Sequence, residues 1–242
     1  MNIVKCETPG AAARQAAQFV IERVNAKPAC VLGLPTGGTP LGMYAELVKA
    51  ARAGRVDFSA VTTYNLDEYC GLPAGHPESY REFMRANFHG PCGFPVERAH
   101  VPDGRAVDPD AEASAYEAAL RAAGGIDVQV LGIGHNGHIG FNEPGTPRDS
   151  RTHAVTLTAR TRQANARFFA SIDDVPTRAI TMGIQTILEA REILLLANGA
   201  DKARIVADAL RGPVTPENPA SFLQEHPRLT VILDAEAERS LL

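Results

Sequence analysis

Three short segments gather glycine, hydroxyl, carboxylate and imidazole groups at spacings that can hold an anion or move a proton. The first is LGLPTGGTPLGMY, residues 32–44. Gly37 and Gly38 let backbone N–H groups approach a ligand, Thr36 and Thr39 add hydroxyls, and a helix start behind them favours negative charge. The segment is not a nucleotide P-loop, because Thr39-Pro40 stands where that motif needs Lys and Ser/Thr. The same residues also read as a plain tight turn before a helix capped by Thr39. The second is YNLDEYCGL, residues 64–72, where Asp67 and Glu68 emerge from an apolar run. A carboxylate withdrawn from water can accept a proton from carbon. Adjacent residues of an extended chain point to opposite faces, so one of the pair faces a ligand crevice at most; two loop acids, one capping and one solvated, are the plainer reading.

The third segment, GIGHNGHIGFNEPG at residues 132–145, admits three chemistries. Gly132, Gly134 and Gly137 spell G-x-G-x-x-G, but Pro144 and further glycines follow where a dinucleotide fingerprint needs a helix, and Arg160 follows the next strand where it needs an acid. A metal site from His135, His138 and Glu143 lacks a helical i, i+4 pair and a second His/Cys cluster, so none is expected. A proton relay needs a group that titrates near neutrality and a partner to orient it, which His138 and Glu143 supply; a hydrogen-bonded core histidine is the plainer reading. Arg167, in TRQANARFF, and Lys202, in LLANGADKARI, are cations able to close on a dianion.

Each acid- or glycine-bearing segment follows an apolar run, so strands must position them. Strands are predicted at residues 2–5, 29–34, 60–66, 126–133, 154–158, 179–183, 192–197 and 229–233. Between them the 3.6-residue spacing predicts helices at 11–25, from Thr39-Pro40 to a stop near Gly54, at 78–88, from Asp108-Pro109 to Ala123, at 161–169 and at 201–211. Strands alternating with helices specify an α/β fold with an open, mostly parallel sheet and helices on both faces. Ligands of such sheets bind beyond the carboxyl ends of the strands, where the three segments fall. With no internal repeat and no linker, residues 1–242 are expected to form a single domain.

Composition narrows the function classes. The chain has 242 residues, 45% hydrophobic and 21% charged, within the range of ordinary globular proteins. Against 28 Asp and Glu stand 24 Lys and Arg, a formal charge of −4 that gives nucleic acid no electrostatic footprint. Cys6, Cys30, Cys70 and Cys92 lie far apart, which points to reduced thiols and a cytoplasmic location. The first ten residues hold no apolar signal core, and the greasiest run, residues 193–197, is far shorter than the ~18 residues of a membrane span. No membrane partner is expected.

In order, LGLPTGGTP, NLDEY, HPESY, GHIGFNEPG, SRT, TRQANARFF and the Lys202 loop resemble the glucosamine-6-phosphate deaminase family over nearly the whole chain. The resemblance implies a Rossmann-like single domain that turns glucosamine 6-phosphate into fructose 6-phosphate and ammonia in amino-sugar catabolism, with no metal or organic cofactor. It implies that Asp67 moves the C2 proton and that His138, supported by Glu143 and Asn136, opens the sugar ring. Thr36, Gly37, Gly38, Thr39, Arg167 and Lys202 would hold the phosphate. The related 6-phosphogluconolactonases share the fold and the glycine-rich turn but depart from Phe141-Asn142-Glu143-Pro144. A lactonase-like hydrolase is therefore one alternative. A non-catalytic sugar-phosphate sensor is another, although it would have no use for Asp67, His138 and Glu143. Two departures stand out. Asn136 replaces an Asp found in some members, and an amide can orient His138 but cannot ionise. His153 and Val155 stand where hexameric members activated by N-acetylglucosamine 6-phosphate carry basic residues, and those members extend further past the last strand. The resemblance thus implies an enzyme without that activation, working as a monomer or small homo-oligomer.

Overall fold

The computed structural model describes residues 1–241. The apolar runs near the C-terminal half are buried on both sides, and their alternation decides which layer each side chain joins. In β9 (Glu192–Ala197), Ile193, Leu195 and Ala197 enter one core while Leu194 and Leu196 enter another. β10 (Leu229–Asp234) divides in the same way, with Leu229, Val231 and Leu233 opposed to Ile232. These two strands sit within a seven-stranded sheet. Its order is β1 (Asn2–Cys6), β10, β9, β6 (Val128–Leu131), β2 (Val31–Leu34), β3 (Thr62–Asn65) and β5 (Ala99–His100). Every neighbouring pair is parallel.

Parallel strands need crossovers, and the helices that make them cover both faces, as the sequence implies. On one face α1 (Pro9–Ala26), α2 (Leu41–Arg52) and α3 (Tyr80–Met84) bury Ala16, Val20, Tyr44, Leu47 and Met84. On the other, α4 (Pro109–Ala122), α6 (Ile184–Leu188) and α7 (Ala203–Arg211) bury Tyr116, Leu120, Ile187, Val206 and Ala209. The start signals act as read at two helices. Thr8 accepts from the Ala11 amide ahead of α1, and Asp108 accepts from the amides of Asp110 and Ala111 ahead of α4. At α2 the expectation fails. Pro40, already in helical φ and ψ, takes the cap position, and no side chain caps the helix. Thr39 instead faces a cavity described below.

A larger departure is a second sheet. The run 60–66 was expected as one strand leading into a loop, yet the chain leaves the parallel sheet after Asn65 and forms β4 (Asp67–Tyr69). β4 pairs antiparallel with β8 (Arg178–Thr181), which pairs antiparallel with β7 (His153–Thr156). Tyr69, Phe141, Leu157 and Ala179 form its own small core. β7 ends two residues before the expected position because Thr158 is the N-cap of α5 (Ala159–Asn165), accepting from the Thr161 amide. The helix expected at 161–169 consequently starts earlier and tightens into a 3-10 turn at Ala166–Phe168. Likewise, the helix expected at 78–88 is α3 followed by a π-helical turn, Arg85–His89. The short α6 and α8 (Ala235–Glu238) were not anticipated. Among the described residues, no helix is long and apolar enough to cross a membrane.

Candidate active site

The turn after β2 forms one wall of a cavity of about 300 Å³ at the carboxyl ends of the parallel strands. Tyr44 in α2 donates its hydroxyl proton to the Pro35 carbonyl at 2.6 Å, pinning the turn to its helix. Gly37 has φ +94, a backbone shape that strains any residue with a Cβ. Thr36, Gly37, Gly38 and Thr39 all line the cavity. No side chain caps α2, so its start leaves the turn ahead of it, which lines the cavity, on the positive end of the helix.

Asp67 opens β4 and lines the same cavity, although its residue as a whole is only 6% exposed. Burial pushes its carboxyl up to about 8, and the neighbouring Glu68 carboxylate adds to the effect. Glu68 points the other way, as strand alternation requires. Its carboxylate accepts from the backbone amides of Tyr69, Tyr80 and Arg81 at 2.8–2.9 Å. Those bonds fix the start of α3, whose first residue, Tyr80, lines the cavity. Asp67 thus has the environment of a proton acceptor, and Glu68 that of a clamp.

His138, on the loop after β6, lines the cavity too. Its ring packs so closely on Gly134 that any Cβ there would collide with it. Nδ1 lies 2.7 Å from Asn136 Oδ1, and Asn136 Nδ2 donates to Glu143 Oε2 at 2.6 Å. This chain fixes the tautomer. A carboxylate only accepts, so the Asn136 amide nitrogen must face Glu143 and its oxygen must face His138, which makes Nδ1 the protonated nitrogen and leaves Nε2 free to take a proton. Thr161 on α5 donates its hydroxyl proton to Glu143 Oε1. Burial lowers the basicity of His138, and the Glu143 charge opposes that effect.

β8 registers the two catalytic candidates. Thr181 pairs with Asp67 in the small sheet, and its hydroxyl accepts from the Phe141 amide at 3.0 Å. Asn142 donates to the carbonyls of Ile139 and Met182, both at 2.8 Å, and closes the histidine loop onto the residue that follows this strand.

Arg167, on the 3-10 turn after α5, and Lys202, on the 3-10 turn Ala200–Lys202 after β9, both line the cavity. Every residue expected to bind or react lines it except Glu143, which stands one hydrogen bond behind. Arg160, Thr161 and Tyr80 were not singled out from the sequence as cavity residues. HPESY and TRQANARFF contain two of them, whereas Arg160 carried no local signal. Among the described residues, no three His, Cys, Asp or Glu side chains are grouped to hold a metal ion.

The family model for glucosamine-6-phosphate isomerases/6-phosphogluconolactonase matches residues 7–232. A glucosamine-6-phosphate deaminase of Rhodopirellula baltica is 55% identical over 231 residues, covering 96% of this chain and 92% of its own. One from Bacillus velezensis is 49% identical, with 98% of both chains covered. A solved monomeric glucosamine-6-phosphate deaminase superposes with a TM-score of 0.96 at 46% identity, over 99% of this chain and all of its own. The 6-phosphogluconolactonase of Trypanosoma brucei superposes over 100% of this chain and 98% of its own, with a TM-score of 0.77 at 22% identity, a likeness of fold alone.

Proposed function

Because the chain belongs to the glucosamine-6-phosphate isomerase/6-phosphogluconolactonase family, we propose that it converts glucosamine 6-phosphate and water into fructose 6-phosphate and ammonia. The observation that carries this reading is an uncharged-favouring carboxyl, Asp67, and an imidazole with a free Nε2, His138, facing one cavity that is also lined by the glycine-rich turn ahead of α2 and by three cations, Arg160, Arg167 and Lys202. His138 takes the C1 hydroxyl proton and returns one to the ring oxygen, opening the pyranose to an aldehyde. The aldehyde acidifies the C2 hydrogen; as the C1 oxygen takes a proton from the C2 ammonium, Asp67 removes the C2 proton to give an enolamine. Return of that proton to C1 leaves a ketimine at C2, and water replaces its nitrogen. Asn136 and Glu143 hold His138 in the tautomer this sequence needs. The Thr36–Thr39 turn, Arg167 and Lys202 hold the phosphate.

The decisive experiment measures ammonia and fructose 6-phosphate together, from glucosamine 6-phosphate and purified protein in the presence of a chelator. Equal release of both supports the reading; folded protein that releases neither but hydrolyses 6-phosphogluconolactone overturns it. The reading includes a cytoplasmic enzyme of amino-sugar catabolism that works as a monomer or small homo-oligomer, the monomer being favoured by the monomeric relative of known structure. It also includes independence from N-acetylglucosamine 6-phosphate, which should leave the rate at limiting substrate unchanged.

A further inference from the structure

His135 lines the cavity yet has no part in these proton transfers. It sits on the loop after β6, its side chain more than half exposed and its Nδ1 3.5 Å from Asp201 Oδ2. Asp201 and Lys202 share one 3-10 turn, so His135 stands beside the element that brings a cation into the cavity. Arg160 on α5 and Arg167 on the following turn also line the cavity and act on His135 through their charge. On its own loop the neighbouring titratable group is His138. Three permanent cations that line the same cavity, one carboxylate in contact and a second imidazole therefore act on a ring that can be neutral or charged.

We propose that His135 is a specificity-determining contact for the dianionic end of the ligand, neutral in the empty cavity and imidazolium once a dianion is seated, so that binding takes up a proton. The proposal rests on the phosphate end assigned above. Burial and then the charge of Lys202 hold the empty-site imidazole below its ordinary range, with Asp201 opposing them. A dianion among Arg160, Arg167 and Lys202 reverses the sign of the local charge and favours the protonated ring. Linkage is reciprocal: whatever the dianion does for the proton, the proton does for the dianion. A neutral sugar gains nothing from this device, so His135 sharpens the preference for phosphorylated over free sugars.

Inorganic sulfate is the suitable probe, because it stays dianionic across the range in which a phosphate monoester titrates. Sulfate is titrated calorimetrically into the protein at pH 6.0 and 7.5, in buffers of different ionisation enthalpy. The expected result is net proton uptake and several-fold tighter binding at the lower pH, with one proton limiting the gain to about tenfold per pH unit. Both effects should vanish in His135→Gln and persist in His138→Gln. In Asp201→Asn, which removes the charge favouring the imidazolium, the rise in affinity should move to lower pH. Uptake undiminished in His135→Gln, pH-independent sulfate affinity, or no sulfate binding overturns the proposal. The ammonia assay separates the two readings. Ammonia release with a silent His135→Gln titration leaves the deaminase standing without this contact, whereas His135-dependent uptake without ammonia keeps the contact and assigns the site to another phosphorylated sugar.

Discussion

Asp67 is placed where it favours keeping its proton, and the reaction needs it without one. With its carboxyl raised to about 8, the empty enzyme is mostly protonated there at pH 7. kcat/KM should therefore rise with pH toward a plateau above 8 as the free-enzyme carboxyl ionises. The linkage sign follows from a folded-state value raised above the unfolded one near 4. Stability is fully present below pH 4, declines as the pH rises and levels off above 8. Asp67→Asn keeps the shape and removes the ionisation. Turnover should fall about 10²–10⁴-fold with sugar-phosphate binding retained. Melting scans should find the variant matched to wild type at pH 4 and more stable at pH 8, by a few kcal/mol. At this scale much was legible in the sequence. Asp67, His138, the Thr36–Thr39 turn and Lys202 each follow a strongly apolar run, and position after a buried strand is a local signal. Arg160 was not legible, because a helical arginine looks the same whether it faces a ligand or water.

β8 does for the two candidates what neither could do alone. Asp67 and the histidine loop are far apart in sequence, and Thr181 touches both, by strand pairing on one side and by its hydroxyl on the other. Thr181→Val should leave the Phe141 amide buried without an acceptor, at a cost of about 1–3 kcal/mol. Steady-state kinetics should then record a lower kcat with KM much less affected, and Thr181→Ser should restore it. The long strands and capped helices of the main sheet were legible because each carries its own periodicity and punctuation. β4 was not, since three residues hold too little period to read and its partner lies far along the chain. The cap misassigned to Thr39 has a related cause: a hydroxyl before a helix serves a cap or a ligand equally well, and only the neighbouring backbone decides.

Across the whole molecule, binding chemistry and anchoring occupy opposite ends of the parallel sheet. At the amino ends of β2, β6 and β9, the Asp127 carboxylate accepts from the Val31 amide at 2.8 Å, from Lys27 at 2.7 and 2.8 Å and from Arg191 at 3.2 Å. Asp127→Ala should cost about 1–3 kcal/mol, because a buried amide loses its acceptor while the two cations remain exposed to water. The melting temperature should drop by roughly 2–4 °C per kcal/mol, with kcat at 25 °C unchanged. The connection between β7 and β8 has a different standing. The Leu157 amide closes its base on the Thr177 carbonyl at 2.8 Å, and within it lie Arg160, Thr161 and Arg167 but neither Asp67 nor His138. Its length and sequence can change without shifting the register of any strand, since loop closure grows costlier only slowly with length. Outside Thr161, whose hydroxyl holds Glu143, it is an exchangeable cassette: grafting a longer or differently charged one around that threonine would retune which phosphorylated sugars the cavity admits.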